Sequence, residues 1–281
     1  GKTAILLPGP PGELYPMFEQ QVFPYLETRE NASLVSKTLK ICGHGESQVE
    51  DQLIDLIDGQ TNPTLATYAK VGEVHLRITA RADEPVKAAA LVEPVAAEVK
   101  RRMGDAVYTE DEGETLEMAV VRLLTGHGLT ISTAESCTGG LVSARLVNVP
   151  GASRVFMEGY VTYSNEAKMK LLGVREETLA AWGAVSAQTA GEMALGGAKA
   201  AGTDVCVSIT GLAGPDGGTA EKPVGLVYMA CALKGQVSLA RYQFKGNRGK
   251  IREQSVMKAL DLARRCILAY GRGEELPGQE A

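Results

Sequence analysis

Several things this 281-residue chain lacks narrow what it can be. Basic residues do not dominate: 29 Lys and Arg stand against 34 Asp and Glu, a net charge of −5. That argues against broad nucleic-acid or membrane-surface binding, which usually needs a basic face. No apolar run approaches the ~20 residues of a membrane span, and GKTAILL at the start has no charged-then-apolar leader pattern. Cysteine is sparse and unpaired: Cys42, Cys137, Cys206, Cys231 and Cys266 are an odd number with no CxxC. They read as reduced thiols of a cytoplasmic protein, most of them small core residues. His44, His75 and His127 stand alone, so no zinc or haem pattern forms and a metal-free protein is expected. The nucleotide loop GxxxxGK[ST] is absent, and so are G-x-S-x-G and S-x-x-K around Ser136.

What is present reads as α/β. Gly1 to Leu7 is expected to form a strand, followed by a Pro-Gly loop and a helix over about 13–21. Residues 34–42 and 74–78 alternate as strands, and 48–57 and 85–101 carry helical spacing. Asn62-Pro63 is a break, and the acidic stretch 105–113 is expected to be a linker. From Glu114 onward helices and strands alternate, which predicts a layered α/β domain. Its first helix carries one apolar face through Leu124 and is expected to close at Gly126.

Three segments of that domain could carry chemistry. Ala134-Glu135-Ser136-Cys137-Thr138-Gly139-Gly140 lies where a strand turns into a helix. Free N–H groups of Thr138, Gly139 and Gly140 there could hold an oxyanion or phosphate. The plainer alternative is that Ser136 and Thr138 are helix caps. Tyr163-Ser164-Asn165-Glu166-Ala167-Lys168 follows a second strand. A lysine partly desolvated beside a serine can act as its base, whereas an isolated surface lysine is only solvated. Ser208-Ile209-Thr210-Gly211-Leu212-Ala213-Gly214-Pro215-Asp216-Gly217-Gly218, ending at Glu221-Lys222-Pro223-Val224-Gly225, is a long loop after a strand, where α/β sheets bind ligands. A merely flexible loop is the alternative. Arg248 opens the last helix and could clamp a phosphate bidentately.

Taken together, TAESCTGG, GYVTYSNEAK, LLGV, GAVS, SITGLAGPDGG, EKPVG and FKGNR resemble the C-terminal domain of the CinA (competence/damage-inducible protein A) family. They span most of 114–270 in that family's order. The resemblance implies a three-layer α/β deamidase domain over 106–275, with a smaller α+β, KH-like module in front at 32–105. It makes LLPGPPGEL part of a truncated remnant of a molybdopterin-binding-like domain (1–31), and leaves 276–281 as a disordered tail. It implies deamidation of nicotinamide mononucleotide (NMN) to nicotinic acid mononucleotide and ammonia through a serine acyl-enzyme.

By the same resemblance Ser136 is the nucleophile, Lys168 its general base and Tyr163 a relay or orienting partner. Cys137, Thr138, Gly139, Gly140, Asn165, Thr210, Gly211, Gly214, Asp216, Gly217 and Arg248 are expected around the substrate. The deamidase needs no cofactor. A divalent metal belongs only to the family's N-terminal domain, an ADP-ribose pyrophosphatase that is largely missing here. NMN is the expected partner and a homodimer the expected assembly, with no membrane. Three alternatives stay open: Cys137 as a rival nucleophile, a competence-related nucleic-acid adaptor, and a domain that has lost activity and only binds nucleotides. A KH domain grips backbone through GXXG, but the matching turn here, Gly43-His44-Gly45-Glu46, ends in an acid.

Overall fold

A computed structural model describes residues 2–28 and 32–278. The opening residues differ from expectation. Residues 2–8 form no strand, since a strand needs a ladder partner and none of the described residues supplies one. Helix α1 (Pro11–Met17) leads through a wider π-helical turn (Phe18–Val22) into α2 (Phe23–Glu27), well beyond the helix expected over 13–21.

The next unit is β1 (Ser33–Cys42), α3 (Glu46–Asp58), β2 (Thr64–Lys70), β3 (Glu73–Ala82), α4 (Pro85–Met103) and β4 (Val107–Thr109). The strands form an antiparallel sheet in the order β2-β3-β1-β4. Pro85 sits at the first turn of α4, where its missing N–H costs nothing. Ala88, Val92, Ala96, Val99 and Met103 then recur at helical spacing and bury against Leu39, Ile41, Leu76 and Ile78. Two strands had been unforeseen. β2 follows the Asn62-Pro63 break, and β4 lies inside the expected linker, where it pairs with β1 at Lys40 and Ile41.

The larger domain runs α5 (Leu116–His127), β5 (Ile131–Glu135), α6 (Leu141–Val147), β6 (Phe156–Val161), α7 (Asn165–Leu172), α8 (Glu176–Trp182), α9 (Ala187–Ala201), β7 (Val205–Gly211), β8 (Leu226–Leu233), β9 (Gln236–Gln243) and α10 (Arg248–Arg272). Its sheet order is β6-β5-β7-β8-β9, with β5 parallel to both neighbours and the rest antiparallel. Helices α5, α6 and α10 pack on one face, and α7 and α9 on the other. Three layers result, as expected. Helix α5 runs past Gly126 and closes at Gly128, whose left-handed backbone (φ +63°) lets its N–H reach the Leu124 and Thr125 carbonyls.

The two sheets share a seam. Cys42 and Tyr108 from the smaller unit belong to the apolar core built by α5 and α10. Gly72 (φ +79°) lies so close to Met257 that an added Cβ would stand 2.5 Å from the Met257 Cβ. Arg264 Nη1 donates to Asp105 O at 2.7 Å, and Lys258 Nζ to Gly43 O at 3.0 Å. Of the tail, 279–281 lie outside the described residues, while Leu276 packs on the core and Pro277 O accepts from Ser238 Oγ at 2.7 Å. No helix among the described residues is long and apolar enough to cross a membrane.

Candidate active site

Strand β5 carries the chain to Glu135, and the next residue, Ser136, begins a turn into α6. The turn is fixed from beneath. The Glu135 carboxylate is fully buried and accepts from the N–H groups of Gly140 (2.9 Å), Val142 (3.1 Å) and Ser143 (2.9 Å) and from Ser143 Oγ (2.8 Å). A carboxylate there satisfies donors that a helix N-terminus leaves unpaired and complements its dipole. Arg252, from α10, donates to the carbonyls of Cys137 (Nε, 3.0 Å) and Thr138 (Nη2, 2.7 Å). Ser136 N–H donates to Ile209 O at 3.0 Å, tying the turn to β7.

This arrangement corrects one expectation. Gly140 N–H is spent on Glu135 and Gly139 N–H on Ser136 O, so neither is free for an anion. Of the three expected donors, Thr138 N–H is the one with no partner among the described residues. Thr138 itself is buried, and its Oγ1 has no hydrogen-bond partner.

Lys168 reaches the same point from α7, a helix capped by Ser164 Oγ accepting from Ala167 N–H. Its side chain is 1% exposed. Nζ lies 3.1 Å from Ser136 Oγ and donates to Thr162 O at 2.8 Å. Burial disfavours the charged amine and pulls its pKa below the ordinary lysine value. Cys137 is buried too, and burial pushes its thiol up to about 11, which disfavours a thiolate near neutral pH.

Ser136, Cys137, Tyr163, Lys168, Thr210, Gly211, Gly214, Asp216 and Arg248 line one cavity of about 230 Å³. Sequence reasoning had named all nine. Thr138, Gly139, Gly140, Asn165 and Gly217 do not line it, and Asn165 is exposed at the start of α7. Tyr163 is mostly exposed, and its hydroxyl accepts from Arg248 Nη2 at 3.4 Å. Its hydrogen bond is thus to the arginine and not to Ser136 or Lys168. Arg248 Nη1 also donates to Gly214 O at 2.8 Å, bracing the 211–218 loop. Glu135 and Arg252 were missed. An acid just before a helix-opening turn was a usable signal for the first; nothing local signals a partner more than a hundred residues away.

The family model described as the CinA C-terminal domain matches residues 113–267, over half the chain. The chain belongs to the CinA family. A second model, the KH domain of damage-inducible protein CinA, matches 36–109, the smaller sheet with its β4 strand. CinA-like proteins of Kosmotoga olearia and Dictyoglomus turgidum are each 54% identical over 95% of this chain. The chain spans 65% of the length of either relative. Among solved structures, a competence/damage inducible protein of Agrobacterium tumefaciens is 44% identical, with a TM-score of 0.52 over 52% of this chain and 90% of its own. One from Klebsiella pneumoniae is 36% identical, with a TM-score of 0.54 over 55% and 96%. CinA relatives of that size correspond to about the larger domain alone.

Proposed function

We propose that this chain hydrolyses the carboxamide of NMN, giving nicotinic acid mononucleotide and ammonia. Ser136 Oγ passes its proton to Lys168 Nζ and bonds to the carboxamide carbon. The tetrahedral intermediate collapses as the C–N bond breaks, and the ammonium of Lys168 returns the proton to the leaving ammonia. Water then adds to the acyl ester with Lys168 again taking a proton, and collapse restores the Ser136 hydroxyl.

One observation carries the chemistry: a buried lysine, its pKa lowered, 3.1 Å from a serine hydroxyl at the wall of a cavity. An amide is a poor electrophile, so it needs an activated nucleophile. The elevated thiol pKa of Cys137 disfavours the rival nucleophile. Support for the substrate comes from the motif resemblance. Arg248 at the cavity wall is the candidate for the 5′-phosphate, once NMN displaces its contact with Tyr163.

The test is ammonia release from NMN in the presence of a chelator. Wild type and Cys137→Ala are expected to turn over and Ser136→Ala to be silent. A wild type that leaves NMN intact while hydrolysing another amide would overturn the substrate; an active Ser136→Ala would overturn the nucleophile.

A further inference from the structure

A second cavity, of about 580 Å³, opens beside the Ser136 cavity, and Val185 belongs to both walls. The strand register explains how they adjoin. Thr210 on β7 is paired with Tyr228 on β8, which is paired with Arg241 on β9. Directly paired residues on antiparallel strands share a face of the sheet, so the three form one row running to the sheet edge. Thr210 lines the first cavity; Tyr228 and Arg241 line the second. Thr210 Oγ1 donates to Ala184 O at 2.6 Å, which pins the partition between them. Lys222 Nζ donates to Trp182 O at 2.6 Å and fastens the partition's other end.

The second cavity has its own chemistry. Trp182, at the end of α8, is 55% exposed, a large aromatic surface left to solvent. Arg241 is also exposed, and among the described residues its guanidinium has no hydrogen-bond or ion-pair partner. Comparable arginines nearby are committed: Arg175 to Glu192, Arg248 to Gly214, and Arg252 to Cys137 and Thr138. An aromatic face offers stacking to a base, and a planar guanidinium offers a bidentate match to phosphate. The volume falls within the range of small-ligand sites.

We propose that this cavity binds a nucleoside monophosphate, with its base against Trp182 and its phosphate on Arg241, separately from any ligand at Ser136. The proposal does not depend on the deamidase reading. Trp182 is the chain's single tryptophan, so its emission reports on this cavity.

Titration of the full chain with adenosine monophosphate is expected to change that emission saturably. Arg241→Gln should weaken binding about tenfold, the scale of hydrogen bonds to a charged group. Arg248→Gln should leave it within about twofold. Calorimetry on Trp182→Ala should show binding lost, a check that needs no fluorescence. Absence of a saturable change, or inorganic phosphate binding as tightly as the nucleotide, would overturn the proposal. So would Arg248→Gln weakening binding as much as Arg241→Gln, which would place the ligand in the first cavity. Failure of NMN turnover would leave the titration unaffected, so the two readings fail separately.

Discussion

The two sheets of this molecule are built from similar materials and hold very different interiors. Behind the 33–109 sheet, the buried side chains among the described residues are apolar except Lys40, whose ammonium donates to Glu112 O (2.8 Å) and Glu114 O (2.7 Å) on the segment leading into α5. The larger domain buries Glu117, which accepts from Arg145 Nη2 at 3.2 Å, and also Glu135, Lys168, Asp261 and Arg264. Hiding such groups opposes folding unless each finds partners. Asp261 and Arg264 satisfy one another and hold the seam, with Arg264 Nη2 to Asp261 Oδ1 at 2.6 Å. Glu135 holds the turn; Lys168 touches Ser136. Buried charge is thus concentrated at the seam and at the candidate site.

The contrast can be broken most decisively at Ser136. Ser136→Ala should lower kcat for ammonia release by about a thousandfold or more, as loss of a nucleophile does. Lys168→Met should do nearly the same, and the intact enzyme should lose activity as pH falls through the lowered lysine pKa. Lys168 links to stability with the sign opposite to that of a lysine held in an ion pair. The unfolded chain binds the Lys168 proton more tightly, so stability rises with pH between the lowered value and the ordinary lysine value, and chemical denaturation across pH will show it.

The smaller sheet should respond the other way round. Leu76 is fully buried in its core, and Leu76→Ala should cost about 2–5 kcal/mol of stability while ammonia release at 25 °C is unchanged. Glu135→Gln should lie between the two, costing about 2 kcal/mol because an amide cannot accept all four bonds, and slowing turnover as the Ser136 turn loosens. Its thermal midpoint and kcat should fall together. Smallest of all, Cys137→Ala should change kcat by less than about threefold, because a buried, protonated thiol offers the reaction little beyond its volume.

How far the sequence revealed this arrangement depends on the range of each interaction. Alternation at 34–42 and helical spacing at 85–101 marked β1 and α4 because those faces pack on a core of their own. β2 went unrecognised since Leu65 is its single buried residue, too little for a pattern. β4 is three residues long and exists only because β1 has an edge to pair with. At the candidate site, Ser136 and Lys168 stood out through their motifs, and the 3.1 Å contact joins segments 32 residues apart. The spending of the Gly139 and Gly140 N–H groups was not legible. It depends on the Glu135 carboxylate turning back onto Gly140 N–H and on a backbone turn closing Gly139 N–H onto Ser136 O, neither of which spacing encodes.

The seam at Gly72 and Met257 has a thermal consequence. Because Cys42 and Tyr108 are part of the core that α10 and α5 build, the smaller sheet cannot melt without opening the larger one. Calorimetry should accordingly register a single endotherm. A protease that nicks the backbone in the exposed 110–113 stretch should leave two fragments that co-elute, held together by the surfaces they bury in each other and not by the peptide between them.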